Sequence, residues 1–157
     1  MEKVLIIGIG NKFREDDGAG IYIVEQLAQK INLPDIYFAQ SSGEGTEIMS
    51  LWEDFNNVCL FDALMKNDQP GRIVHFTAKD CKIPSDLFKY SSHAFSLAEA
   101  VELARVLNKL PKQVEIFGIE GKRFGFGEGL SEEVQQACTE LVTVFSKKNT
   151  DFRNISL

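Results

Sequence analysis

Apolar positions in this chain switch between a continuous, strand-like pattern and a helical one, and each switch marks an element. Residues 4–7, VLII, form an unbroken apolar run, as in a strand covered on both faces of a parallel sheet. Gly8 and Gly10 flank Ile9 directly afterwards, so the backbone is expected to turn tightly as it leaves the sheet, and Asn11 tolerates the dihedrals of such a turn. From 20 to 31, Val24, Leu27, Ala28 and Ile31 recur at helical spacing until Pro34 stops the pattern. A second strand follows over 35–40, rich in Ile36, Tyr37 and Phe38, before the loop 41–45. Ile48, Leu51, Trp52 and Phe55 share a helical face, with Thr46 a possible cap and Asn56-Asn57 as the stop.

The second half repeats these periods. Residues 58–64, VCLFDAL, predict another buried strand, and residues 66–71 carry turn chemistry leading into a strand over 72–77 that contains His75. That hairpin-like connection inserts one antiparallel strand into a parallel sheet. Residues 79–92 look irregular and lead through the Ser91-Ser92-His93 turn to a helix defined by Leu97, Val101, Ala104 and Leu107. Residues 114–119 predict the last strand, followed by the glycine-rich stretch GKRFGFGEG over 121–129, a candidate mobile lid or substrate loop. Ser131 is positioned to cap a final helix with Val134, Ala137, Leu141 and Phe145 on one face, and residues from about 149 read as a tail. This order predicts an α/β fold, a three-layer αβα sandwich whose ligands would collect beyond the carboxyl ends of the strands.

Three chemical signals fall on that edge. Glu15, Asp16 and Asp17 follow the first strand, and although one of them could cap the next helix, three exceed what a cap requires. Asp62 sits near the end of a buried strand, where an ionised carboxylate must be paired, hydrogen-bonded or metal-bound, or else serve as a structural cap of the next turn. His93 precedes a helix on the same edge. A dinucleotide fingerprint is disfavoured, because its third glycine would fall at Phe13 and the acids would repel a pyrophosphate.

Composition narrows the classes. With 157 residues, 44% of them hydrophobic, the chain can build one real core. Seventeen basic residues against 23 acidic ones give a net charge of -6 without a Lys/Arg run, so nucleic acid is not an expected partner. Neither a signal-like N-terminus nor an apolar run of membrane-spanning length stands out, and a cytoplasmic location with no membrane partner is expected. Cys59, Cys81 and Cys138 lack any C-x-x-C spacing, which argues against a disulfide framework and a thiolate zinc site and favours buried thiols at Cys59 and Cys138. There is no Ser/His/Asp or Cys/His pattern for acyl-enzyme chemistry.

Taken in order, GIGNKFREDDGAG, the FDAL segment around Asp62, SSHAFSL around His93, IFGIEG and GLSEEV resemble the hydrogenase maturation endopeptidases over nearly the whole chain. That family removes a C-terminal extension from the large subunit of nickel-iron hydrogenases. A single domain over 1–148 with a tail over 149–157 is expected from the length and the pattern, and the resemblance implies a mixed five-stranded sheet, mostly parallel with the fourth strand antiparallel, of phosphorylase/hydrolase-like type. It implies a cytoplasmic, monomeric, aspartyl-type endopeptidase whose partner is the large-subunit precursor. The implied metal-recognising and catalytic residues are Asp17, Asp62 and His93, with Asp16 as the alternative to its neighbour. Their metal is nickel carried by the substrate, which O and N donors suit. The competing expectations are a non-catalytic metal-sensing chaperone of the precursor and an α/β nucleotide- or phosphate-binding enzyme.

Overall fold

The computed structural model describes residues 2–65, 68–79, 81–88, 94–147 and 150–152. Five strands form one sheet in the order β2-β1-β3-β5-β4. In chain order the elements are β1 (Val4–Ile9), α1 (Ala19–Lys30), β2 (Ile36–Ser41), α2 (Gly45–Trp52), β3 (Asn57–Leu64), β4 (Ile73–Thr77), α3 (Leu97–Val106), β5 (Gln113–Glu120) and α4 (Glu132–Phe145). β1 pairs in parallel with β2 and β3, and β3 with β5, while β4 runs antiparallel along β5. The expected mixed sheet is therefore present, with the strand that follows the short turn as its antiparallel edge.

Both faces of the sheet are covered, which explains why its central strand β1 reads as an unbroken apolar run. Ile6, Phe61 and Phe117 pack under Ile23 and Leu27 of α1 and Leu141 and Phe145 of α4. On the other face Leu5, Ile7, Leu60 and Ile116 pack under Ile48 and Trp52 of α2 and Val101 and Ala104 of α3. Helix α1 lies unusually close to the sheet: a Cβ at Gly20 would fall 2.2 Å from the Phe61 carbonyl oxygen and 2.5 Å from that of Ile9. Glycine there lets the start of α1 rest on backbone, so the loop before it is carried tight against the strand ends.

Local details differ from the sequence expectations for identifiable reasons. Helix α2 stops at Trp52, and Phe55 turns back, its N–H donating to the Trp52 carbonyl at 3.0 Å. The cap of α2 is Glu44 instead of Thr46: its longer carboxylate accepts from the N–H groups of Thr46 at 3.1 Å and Glu47 at 3.0 Å. Leu107 lies just past the end of α3, at its C-cap, and is 50% exposed, so it does not share the buried face. Cys59 and Cys138 are buried thiols as expected, and burial pushes Cys138 up to about 12. His75 is a strand residue, its Nε2 2.7 Å from Glu115 and its ring stacked on Phe117 at 4.3 Å. The turn at Lys66 and Asn67 and the C-terminal tail fall wholly or partly outside the described residues.

Candidate functional site

The chain leaves β1 for α1 and β2 on one side, then returns through α2 to β3 on the other side of β1. The connections therefore diverge between β1 and β3, the place where open α/β sheets form a crevice. Register shows how it opens. The last β1–β3 pair is Gly8 with Phe61, whereas β3 continues beside β5 through Asp62–Gly118 to Leu64–Glu120. Asp62 is thus the first residue of β3 beyond the cover of β1, and it remains 7% exposed.

Asp17 reaches this crevice from the loop after β1. Gly10 has φ 140°, and a Cβ on it would lie 1.9 Å from the Asp17 carbonyl oxygen. Only glycine permits that approach. It brings the Asn11 N–H to within 3.2 Å of the Asp17 carbonyl and 3.0 Å of its Oδ2, while Asn11 Oδ1 accepts from the Phe13 N–H at 2.9 Å. The turn glycine admits the Asp17 backbone, and the Asn11 N–H holds the carboxylate directly.

Burial perturbs both acids, and the charge of Asp17 adds to the effect at Asp62. Burial, and secondarily the negative charge of Asp17, raise the Asp62 carboxyl well above its ordinary 3.8, against the N–H of Ala63, which donates to Oδ1 at 2.8 Å. Burial also raises Asp17, opposed by the Asn11 N–H and the positive charge of Arg14. The balance of causes differs from that of an ordinary structural carboxylate: neither acid has a cation strong enough to offset its desolvation. An arriving cation would relieve both.

Asp16 has the opposite environment. It is fully buried, with Oδ2 accepting from the N–H groups of Lys122 at 2.8 Å and Arg123 at 2.9 Å and from the Ser131 hydroxyl at 2.8 Å, and Oδ1 from the Ser131 N–H at 2.7 Å. Its lone pairs are spent, so Asp16 clamps the loop after β5. Neither it nor Asp17 caps α1, whose N-cap is Gly18 without a side-chain bond. Ser131 lies at the start of α4, yet its hydroxyl serves Asp16 and makes no cap bond.

The glycine-rich segment departs from a freely mobile lid. Glu15 N–H donates to the Gly127 carbonyl at 2.9 Å, Gly127 N–H to that of Phe13 at 2.8 Å, and Asp16 N–H to that of Arg123 at 2.9 Å. Gly125 N–H adds a bond to Glu15 Oε2 at 3.1 Å. The loops after β1 and β5 are zipped together across the end of β3, which lies between them. Glu120, at the end of β5, is buried and ion-paired with Arg72, and its Oε2 accepts from the Gln69 N–H at 2.9 Å. These anchors were not evident in the sequence; a lone acid at the end of an apolar strand was the available signal for Glu120, as for Asp62.

His93 lies outside the described residues. Among the described residues no group of three or more His, Cys, Asp and Glu is placed to hold a metal ion. Asp17 and Asp62 are therefore the part of the expected constellation that the fold brings together. Also among the described residues, no helix is long and apolar enough to cross a membrane.

An α/β sheet with two acids at its switch point is the architecture that this chain presents. The model of the hydrogenase maturation protease family matches residues 21–148. A Methanocaldococcus jannaschii chain assigned as a hydrogenase maturation protease is 32% identical over 147 residues, 90% of this chain and 92% of that one. The hydrogenase 2 maturation protease of Escherichia coli is 29% identical over 121 residues, 74% of this chain and 72% of that one. Among solved structures, an Escherichia coli endopeptidase superposes with TM-score 0.77 at 22% identity, covering 92% of this chain and 91% of that one. A NiFe hydrogenase maturation protease from Thermococcus kodakarensis does so with TM-score 0.61 at 26% identity, covering 90% and 95%.

The chain belongs to the hydrogenase maturation protease family. It is accordingly a peptide-bond hydrolase, which answers the question left open between an enzyme and a non-catalytic chaperone or nucleotide-binding protein.

Proposed function

We propose that this enzyme removes the C-terminal extension from the large-subunit precursor of a nickel-iron hydrogenase. In this proposal Asp17 and Asp62 recognise nickel already carried by that precursor. The observation supporting it is the pair of partly desolvated carboxylates at the β1–β3 crevice, each lacking enough positive charge to offset its burial. A divalent ion supplies that charge, and carboxylate oxygens are acceptable donors to nickel. His93, taken from the SSHAFSL motif, is the proposed third donor, contributing an imidazole nitrogen.

The ion belongs to the substrate, so cleavage depends on cofactor loading. A precursor without nickel presents nothing for the two acids to grip, and its scissile bond is not aligned. Once aligned, the bond is hydrolysed by water: its oxygen adds to the carbonyl carbon, a carboxylate oxygen takes the proton, and the departing amine is protonated as the C–N bond breaks. The nickel held by the precursor adds Lewis acidity where the carbonyl or the water meets it.

The decisive comparison mixes the purified protein with nickel-loaded and nickel-free precursor and follows the mass of the large subunit. Loaded precursor is expected to lose its extension and nickel-free precursor to keep it. Equal cleavage of both would refute nickel recognition. Asp17→Asn, Asp62→Asn and His93→Ala are each expected to abolish processing of the loaded form, and normal processing by all three would refute the site.

A further inference from the structure

Around the Asp17–Asp62 crevice, the segment leaving each of the three central strands exposes a large apolar side chain. Phe13 after β1 is 57% exposed, Met65 immediately after β3 is 37%, and Phe126 after β5 is 89%. Single exposed apolar residues are ordinary, but several gathered around one crevice on a fixed backbone mark a contact surface. The backbone here is fixed: Gly127 N–H bonds the Phe13 carbonyl, and Asp16 anchors Lys122 and Arg123 behind it. Each ring also carries a cation. Lys12 Nζ lies 5.4 Å from the centroid of Phe13, and the Arg14 guanidinium carbon 5.2 Å from that of Phe126. In a chain of net charge -6, this rim joins positive charge to apolar area beside the two acids.

We propose that Phe13, Met65 and Phe126 form an apolar collar that seats the precursor's polypeptide on either side of its scissile bond. Apolar side chains of that segment pack on the rings, and its acidic groups face Lys12 and Arg14. The occupant follows from continuity, since a chain cut at Asp17 and Asp62 must cross the loop that carries Asp17 and the end of β3 that carries Asp62. Charge complementarity adds the acidic component. The inference rests on the processing reading above, and its test separates the two.

The full-length protein and its Phe13→Ser/Phe126→Ser variant are compared by initial processing rate against the concentration of nickel-loaded precursor, and by direct binding to that precursor. Both rings are exposed, so the variant is expected to melt with the wild type, and Phe126→Ser alone serves should the pair lower expression. The half-saturating concentration is expected to rise about tenfold, with kcat changed by less than about twofold. Val106→Ser, altering an 81% exposed side chain at the opposite end of the sheet, is expected to match wild type. A half-saturating concentration unchanged in the ring variants would overturn the collar. Lys12→Glu is expected to weaken binding chiefly at low salt, and unchanged binding there would overturn the acidic component. If wild type binds precursor without shortening it, the processing reading fails, while weaker binding by the double variant still supports the collar.

Discussion

Asp16 and Asp17 differ by one peptide unit and do opposite work. Asp16 is consumed by bonds to Lys122, Arg123 and Ser131, whereas Asp17 lies close enough to Asp62 for its charge to add to the burial that raises the Asp62 carboxyl. Raised folded-state values carry a stability cost with a definite sign. Well below 3.8 Asp62 is protonated both folded and unfolded and contributes nothing. As pH climbs above that value the unfolded chain gives up the proton first, so the fold loses stability until the folded group ionises as well. Asp62→Asn retains an acceptor for the Ala63 N–H and removes the charge. It is therefore expected to be more stable than wild type at pH 7, by a margin that shrinks as pH falls and vanishes below 3.8, while losing activity. Denaturant titrations of both proteins across that range check it; a margin that is constant with pH, or reversed, would contradict the assigned environment.

At the scale of elements, the loops after β1 and β5 act as one unit because Asp16 joins them. Asp16→Ala strands the Lys122 and Arg123 amides and the Ser131 amide and hydroxyl, and is expected to cost about 3 kcal/mol or more. Amide exchange at Lys122, Arg123 and Ser131 should accelerate more than exchange in the core of β3. Equal protection in both proteins would show that something else holds the loop. Removing the Glu44 cap of α2 with Glu44→Ala should cost only about 1 kcal/mol, read as a shifted denaturation midpoint. These contrasts explain what was legible in the sequence. Asp62 was visible as a charge inside an apolar strand, and Gly8 and Gly10 as the end of β1. The clamp was not, because Asp16 finds its partners 106 to 115 residues away, and adjacent acids look alike until the fold divides them. The loop over 121–129 read as mobile because glycine permits motion, yet the same freedom lets its backbone dock against the first loop.

Across the whole molecule, the helices and the apolar sheet build a rigid platform, and the costly groups gather at its carboxyl edge. Phe145 sits edge-on to both Phe61 and Phe117, with centroids 5.1 Å away in each case. Phe145→Ala should cost about 3–5 kcal/mol yet leave kcat/KM close to wild type at temperatures where the variant stays folded. A large loss of activity in the folded variant would mean that the core does more than support the edge. The central claim is that Asp17 and Asp62 become ligands of nickel brought by the precursor. Nickel-edge X-ray absorption on loaded precursor, alone and frozen within the first turnover after mixing with enzyme, tests it most directly. The oxygen and nitrogen shell around nickel is expected to grow on mixing with wild type and to stay that of the free precursor with an Asp17→Asn/Asp62→Asn variant that still binds. A shell that is identical with and without wild-type enzyme, at saturating binding, would contradict it.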